Sequence, residues 1–171
     1  MLFNILSSET YSMAFKKEIL WTLSNLTIGE VHQIRAVFQK VEWFNILMQL
    51  CRSTNSNIRK EAIWVICNAT QNGGREEITS LVDNGVLNML SFNLDLSSET
   101  DVIKTILEAL DNILNLDEDQ WNRQGFHPMQ DQLESSGILE RLEKLLEHPK
   151  LEIYKNTLTL IDNYFDVQQV I

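Results

Sequence analysis

The sequence predicts an all-helical solenoid built from a repeated unit, and three observations predict it. Glycine and proline are scarce, six and two in 171 residues, where an all-β chain of this size would need many more turn residues. The segment KKEILWTLSNLT (16–27) recurs as RKEAIWVICNAT (59–70), with Trp64 following Trp21 by 43 positions. Between the copies, apolar residues return at spacings of three and four rather than two, which is the period of a helix with one buried face.

The first copy ends at Gly29. Residues 30–39 (EVHQIRAVFQ) and 42–52 (EWFNILMQLCR) then carry helical spacing, and Asn55 and Asn57 supply N-cap chemistry for the next long helix. The second unit repeats this plan: a Gly73-Gly74 stop, EEITSLVD, a break at Gly85 and then VLNMLSFNL. SSET stands ahead of a long helix at 7–10 and again at 97–100, where a Ser or Thr oxygen can accept an orphan backbone N–H. Weaker third and fourth copies are TILEALDNIL (105–114) and LTLIDNYF (158–165), and Gly137 precedes ILERLEKLLEH. Pro149 is expected in a first helical turn, and DEDQWNRQGFHP (117–128) is expected to be a polar, irregular loop.

A period near 43 lies within the ~40–47 residues of armadillo and HEAT units. Three helices per period make this a right-handed armadillo-repeat solenoid of about three and a half repeats. The expected divisions are a partial repeat at 1–28, repeats at 29–72 and 73–116, and a last repeat with an inserted loop at 117–171. Such units share their cores with neighbours, so the apolar start Met1 to Leu6 is expected to want a preceding partner.

Within the repeated block, Glu18, Trp21 and Asn25 recur as Glu61, Trp64 and Asn68. Residues three and four apart share one helix face, so each block offers an acid, an indole and an amide in a row. Indole faces can wall in the methylene stem of Lys or Arg, with a cation–π contribution of ~0.5–2 kcal/mol. An Asn amide both donates and accepts, so it can clamp an extended backbone, and Glu attracts the terminal charge. The face reads as a receptor for extended basic peptide. Taken singly, each Trp-Asn pair would read instead as core packing, but three residue types repeating at one period argue against that.

Composition agrees. The net charge of −10 falls wholly on residues 95–171, since residues 1–94 hold eight acids and eight bases. An acidic chain repels phosphate backbones and is a poor nucleic-acid partner, and a basic peptide suits it better, although taken alone the acidity reads as a means of solubility. No apolar run reaches the ~18 residues of a membrane span, and the start lacks a signal-peptide n-region, so no membrane partner is expected. Cys51 and Cys67 sit in apolar helical patterns and read as reduced core residues. His32, His127 and His148 lack metal-ligand spacing, Gly73-Gly74 is followed by no G-K-[ST], and Asp117, Glu118 and Asp119 lack the pattern of a calcium loop. No metal, cofactor or catalytic constellation is expected.

The blocks KEILWTLSNLT and RKEAIWVICNATQNGG resemble the seventh and eighth armadillo repeats of importin-α, the nuclear-import adaptor family. The tail SSGILERLEKLLEHPKLEIYKNTLTLIDNYF resembles the last repeat of that family. The resemblance implies a nuclear-import adaptor, or its C-terminal portion, acting in cytoplasm and nucleus and binding nuclear localisation signals. It assigns Glu18, Trp21, Asn25, Glu61, Trp64 and Asn68 to the minor signal-binding site, with Ser24 a further candidate. In the third copy Glu108 replaces the Trp, as the family's array would end there. The resemblance also implies that this chain has no importin-β-binding segment, and that its acidic C-terminal repeats could meet the export receptor or a nucleoporin. The alternative is an armadillo scaffold outside nuclear transport, which the charge of its partner would reveal.

Overall fold

The two long helices that carry the repeated block begin where a side chain accepts from their unpaired N–H groups. The Ser12 hydroxyl accepts from the Phe15 N–H at 3.3 Å. The Asn55 side chain accepts from the Asn57 and Ile58 N–H groups at 3.1 and 3.2 Å, as the sequence predicts. Asn55→Ala is expected to lower stability by about 1 kcal/mol, read as a lower urea midpoint at unchanged slope. Gly73 closes the same helix, its N–H donating to the Ala69 carbonyl at 3.0 Å. Gly85 and Gly137 adopt φ of 89° and 68°, a left-handed turn that strains any residue with a Cβ.

The computed structural model describes residues 2–124 and 129–165, and the chain divides into two compact units, Met1–Leu81 and Val82–Ile171. Among the described residues all regular structure is helical, and no helix is long and apolar enough to cross a membrane.

The first unit contains α1 (Leu2–Ser7), α2 (Met13–Thr27), α3 (Val31–Phe38), α4 (Val41–Leu50) and α5 (Ser56–Asn72), with α6 (Arg75–Asp83) beginning in it. Helix α5 is its centre, with Ile58, Ala62, Ile63, Val65, Ile66 and Ala69 all buried. A helix apolar on most of its circumference must be surrounded, and α2 and α4 both pack on it. Cys51 and Cys67 are buried and unbridged, and burial pushes the Cys51 thiol well above its ordinary range. The apolar start finds partners inside the unit: Phe3 and Leu6 are buried, and Phe3 stacks on Trp43 at 4.8 Å between ring centres. Arg35 on α3 ties down the start of α6 through Glu76 at 3.0 Å and Glu77 at 2.5 Å.

The second unit contains α7 (Val86–Asn93), α8 (Thr100–Gln124), α9 (Gln130–Ser136), α10 (Ile138–Leu145) and α11 (Leu151–Tyr164). Ile103, Ile106, Leu110 and Ile113 of α8 are fully buried, with α7 and α11 packed on that helix. Three expectations need correction here. The segment 117–128 is not a loop throughout, because α8 continues to Gln124. Polarity alone does not stop a helix, and no glycine or proline interrupts the chain before Gly125. Residues 125–128, including His127, lie outside the described residues. Nor is Asp117 a solvated linker residue: it is 4% exposed and accepts from the Met129 N–H at 3.0 Å. Pro149 precedes α11 rather than opening its first turn, since the Tyr154 N–H already reaches back to the Lys150 carbonyl.

Candidate peptide-binding face

Helices α2 and α5 lie side by side, and three polar contacts fix their register. The Lys17 Nζ stands 3.9 Å from Glu61 Oε1, the Asn68 amide donates to the Ser24 carbonyl at 3.2 Å, and the Asn72 amide donates to the Ile28 carbonyl at 2.5 Å. Each contact joins residues 44 apart, over a stretch of eleven residues, or about 16 Å of helix. A constant offset requires the two helices to run parallel. Trp21 and Trp64, 43 apart, therefore stand at nearly the same height on neighbouring helices.

Trp21 is 54% exposed and Trp64 is half-buried. One turn on, Asn25 is exposed and donates to the Trp21 carbonyl at 3.0 Å. Asn68 is half-buried, with its amide directed at α2 as described. Each amide uses one N–H in this way, so by valence a second N–H and the carbonyl oxygen remain for a ligand. Lys60 reaches over the Trp64 ring, its Nζ 5.0 Å from the ring centre.

Two sequence-predicted residues do not sit on the open face. Ser24 is 6% exposed and its hydroxyl donates to the Trp21 carbonyl at 2.8 Å, because it shares a helical stripe with Leu20 and Thr27. Glu61 is also 6% exposed, its Oε2 has no hydrogen-bond partner, and its other oxygen faces Lys17. Its equivalent in the first copy, Glu18, is exposed. The same local sequence thus yields one surface acid and one interior acid, because the α5 copy faces α2.

Burial raises the Glu61 carboxyl above its ordinary value of 4.5, with the neighbouring Glu18 adding to the rise and Lys17 and Lys60 opposing it. A carboxyl raised by folding contributes stability below its unfolded value and loses it as pH climbs through the folded value. Glu61→Gln is therefore expected to raise the melting temperature at pH 7, with the gain shrinking to nothing near pH 4. Thermal melts of both proteins across pH 4–8 check this.

In the second unit, Glu108 on α8 is exposed at the place of the Trp. One turn on, Asp111 accepts a hydrogen bond from the Tyr164 hydroxyl of α11 at 3.0 Å. Burial, the Asp111 hydrogen bond and the Asp111 and Glu118 charges push the Tyr164 phenol up to about 12. This pair was not legible in sequence, since Tyr164 has no counterpart in the repeated block. Asn72 was missed, although it could have been read as continuing the line of Trp64 and Asn68 by four more residues. Among the described residues no cluster of three or more His, Cys, Asp or Glu could hold a metal ion.

Stacked helical units with a repeated Trp-Asn face define an armadillo-repeat array, and solved structures agree with that class. A designed armadillo repeat protein in complex with the peptide (KR)4 is similar at a TM-score of 0.76 and 29% identity, covering 94% of this chain and 62% of that one. Computationally designed armadillo repeat proteins for modular peptide recognition are similar at a TM-score of 0.74 and 26% identity, covering 94% of this chain and 61% of theirs. Within the class, the chain is related in sequence to the importin-α subunits. Importin subunit alpha-4 of Arabidopsis thaliana is 32% identical over 163 residues, which is 94% of this chain and 30% of the relative. Importin subunit alpha-5 of the same plant is 27% identical over 162 residues, 95% of this chain and 31% of the relative. Importin subunit alpha-8 of Mus musculus is 28% identical over 120 residues, 70% of this chain and 23% of the relative. The chain thus spans less than a third of the length of these relatives. No family model matches it.

Proposed function

We propose that the α2/α5 face binds an extended Lys/Arg-rich peptide, and that the chain serves nuclear import as an adaptor or as part of one. It works by binding rather than catalysis, between cytoplasm and nucleus, and its cargo carries a basic localisation signal. The observation that carries this reading is the pair of indoles at matching height on two register-locked parallel helices, each with an Asn one turn away. An extended peptide crossing both helices would lay basic side chains along the indoles while the Asn amides met its backbone. Glu18 is the exposed acid placed to draw those side chains in. The importin-α kinship and the similarity to an armadillo repeat protein in complex with (KR)4 support the choice of a basic ligand. The repeat divisions 29–72, 73–116 and 117–171 belong to the same proposal.

Fluorescence-anisotropy titration with labelled (KR)4, and with (DE)4 as the opposite-charge control, tests it. Saturable binding of (KR)4 that weakens with salt, with no binding of (DE)4, is expected. Equal binding of both peptides, or of neither by the folded protein, would refute the reading. Binding of (KR)4 that a nuclear localisation peptide failed to displace would favour a scaffold outside nuclear transport.

A further inference from the structure

Lys17 and Lys60 occupy the same place in the two copies of one block, each four residues before a tryptophan, and the structure uses them differently. Lys17 is drawn across to α5, where it stands 3.9 Å from the Glu61 carboxylate. Its own tryptophan, Trp21, is left 54% exposed. Lys60 places its ammonium 5.0 Å from the centre of the Trp64 ring. The separation lies within the ~6 Å over which a ring face attracts a cation. The position that a ligand ammonium or guanidinium would take on Trp64 is thus already held by a cation of the protein.

We propose that Lys60 is a built-in occupant of the Trp64 subsite, which a ligand cation must displace, whereas the Trp21 subsite stands open. The inference rests on the peptide-binding reading and makes its two subsites unequal. A ring face gains little by exchanging one cation for another, and two cations over one ring repel each other. The first basic side chain of a ligand therefore settles on Trp21, and Lys60 sets how much the second subsite adds. Which repeat carries the affinity follows from where each lysine is held, not from the Trp and Asn rows that both copies share. Glu61 is part of the device, because it holds Lys17 away from Trp21.

The (KR)4 titration on wild type, Lys60→Met, Trp64→Ala and the double variant tests this. Methionine keeps the length of the side chain and removes its charge. Lys60→Met is expected to tighten binding roughly three- to tenfold, the range that loss of a competing cation–π contact allows. The tightening should vanish when Trp64 is already alanine, whereas a general charge effect would survive there. A peptide-free readout stands beside it: the Lys60 ε-methylene protons should resonate upfield under the Trp64 ring current in wild type, and at ordinary positions in Trp64→Ala. Unchanged or weaker binding by Lys60→Met, equal tightening in both backgrounds, or ordinary methylene shifts in wild type would each overturn the proposal. If neither wild type nor Lys60→Met binds, the peptide reading itself fails. If wild type binds and Lys60→Met merely matches it, the Lys60 inference alone is lost.

Discussion

Replacing Trp21 and Trp64 together with alanine is expected to weaken binding of a Lys/Arg-rich peptide by roughly 1–4 kcal/mol, about fivefold to several hundredfold. Each indole offers one cation site and a wall for the methylene stem of a basic residue. The loss should fall mainly on the dissociation rate, since the charge that steers the peptide to the surface is untouched. Fold stability should change little on the Trp21 side, where the ring is mostly in solvent. Trp64 is half-buried, so its single variant should show a modest drop in melting temperature as well. Anisotropy titrations beside thermal melts separate the two effects. The single variants should be unequal, Trp21→Ala weakening binding more than Trp64→Ala, because Lys60 already covers the second ring.

Leu20→Ala is expected to cost about 2–5 kcal/mol of stability. Leu20 is fully buried on α2, on the helix that packs against α5. Shortening it removes transfer energy and leaves a cavity that two register-locked helices cannot easily close. The Asn68–Ser24 and Asn72–Ile28 hydrogen bonds hold the helices in place while the buried stripe of α2 loses volume. Urea unfolding should show a lower midpoint. The height match of Trp21 and Trp64 depends on this seam, so peptide affinity should fall with it, although Leu20 touches no ligand. An unchanged midpoint would mean that the seam between these helices contributes little to the unit.

Much of this was legible before any coordinates. The repeated block marks two equivalent helices, glycines mark the breaks, and Asn55 marks a start that the structure places where the sequence predicts it. Trp21 and Asn25 are readable as an exposed pair because Leu20, Leu23 and Thr27 claim the buried stripe of the same helix. That stripe also claims Ser24, so its burial could have been read from the same pattern. The difference between Glu18 and Glu61 could not. Their neighbours in sequence are nearly the same, and only the packing of α5 against α2 makes one an interior acid. The different seats of Lys17 and Lys60 were hidden for the same reason. The helical course of 117–124 was missed because polar composition was read as a loop where no breaker residue was present.

The most direct measurement is a ¹H–¹⁵N spectrum of the tryptophan indole N–H groups during titration with unlabelled (KR)4. Trp43 is an internal reference, stacked on Phe3 with Lys40 5.2 Å over its ring and on a different helix from the proposed face. The account predicts that the Trp21 and Trp64 resonances move saturably, Trp21 at the lower peptide concentration, while Trp43 stays still. Movement of Trp43 with Trp21 and Trp64 stationary, or no movement of any of the three in a folded protein, would contradict it.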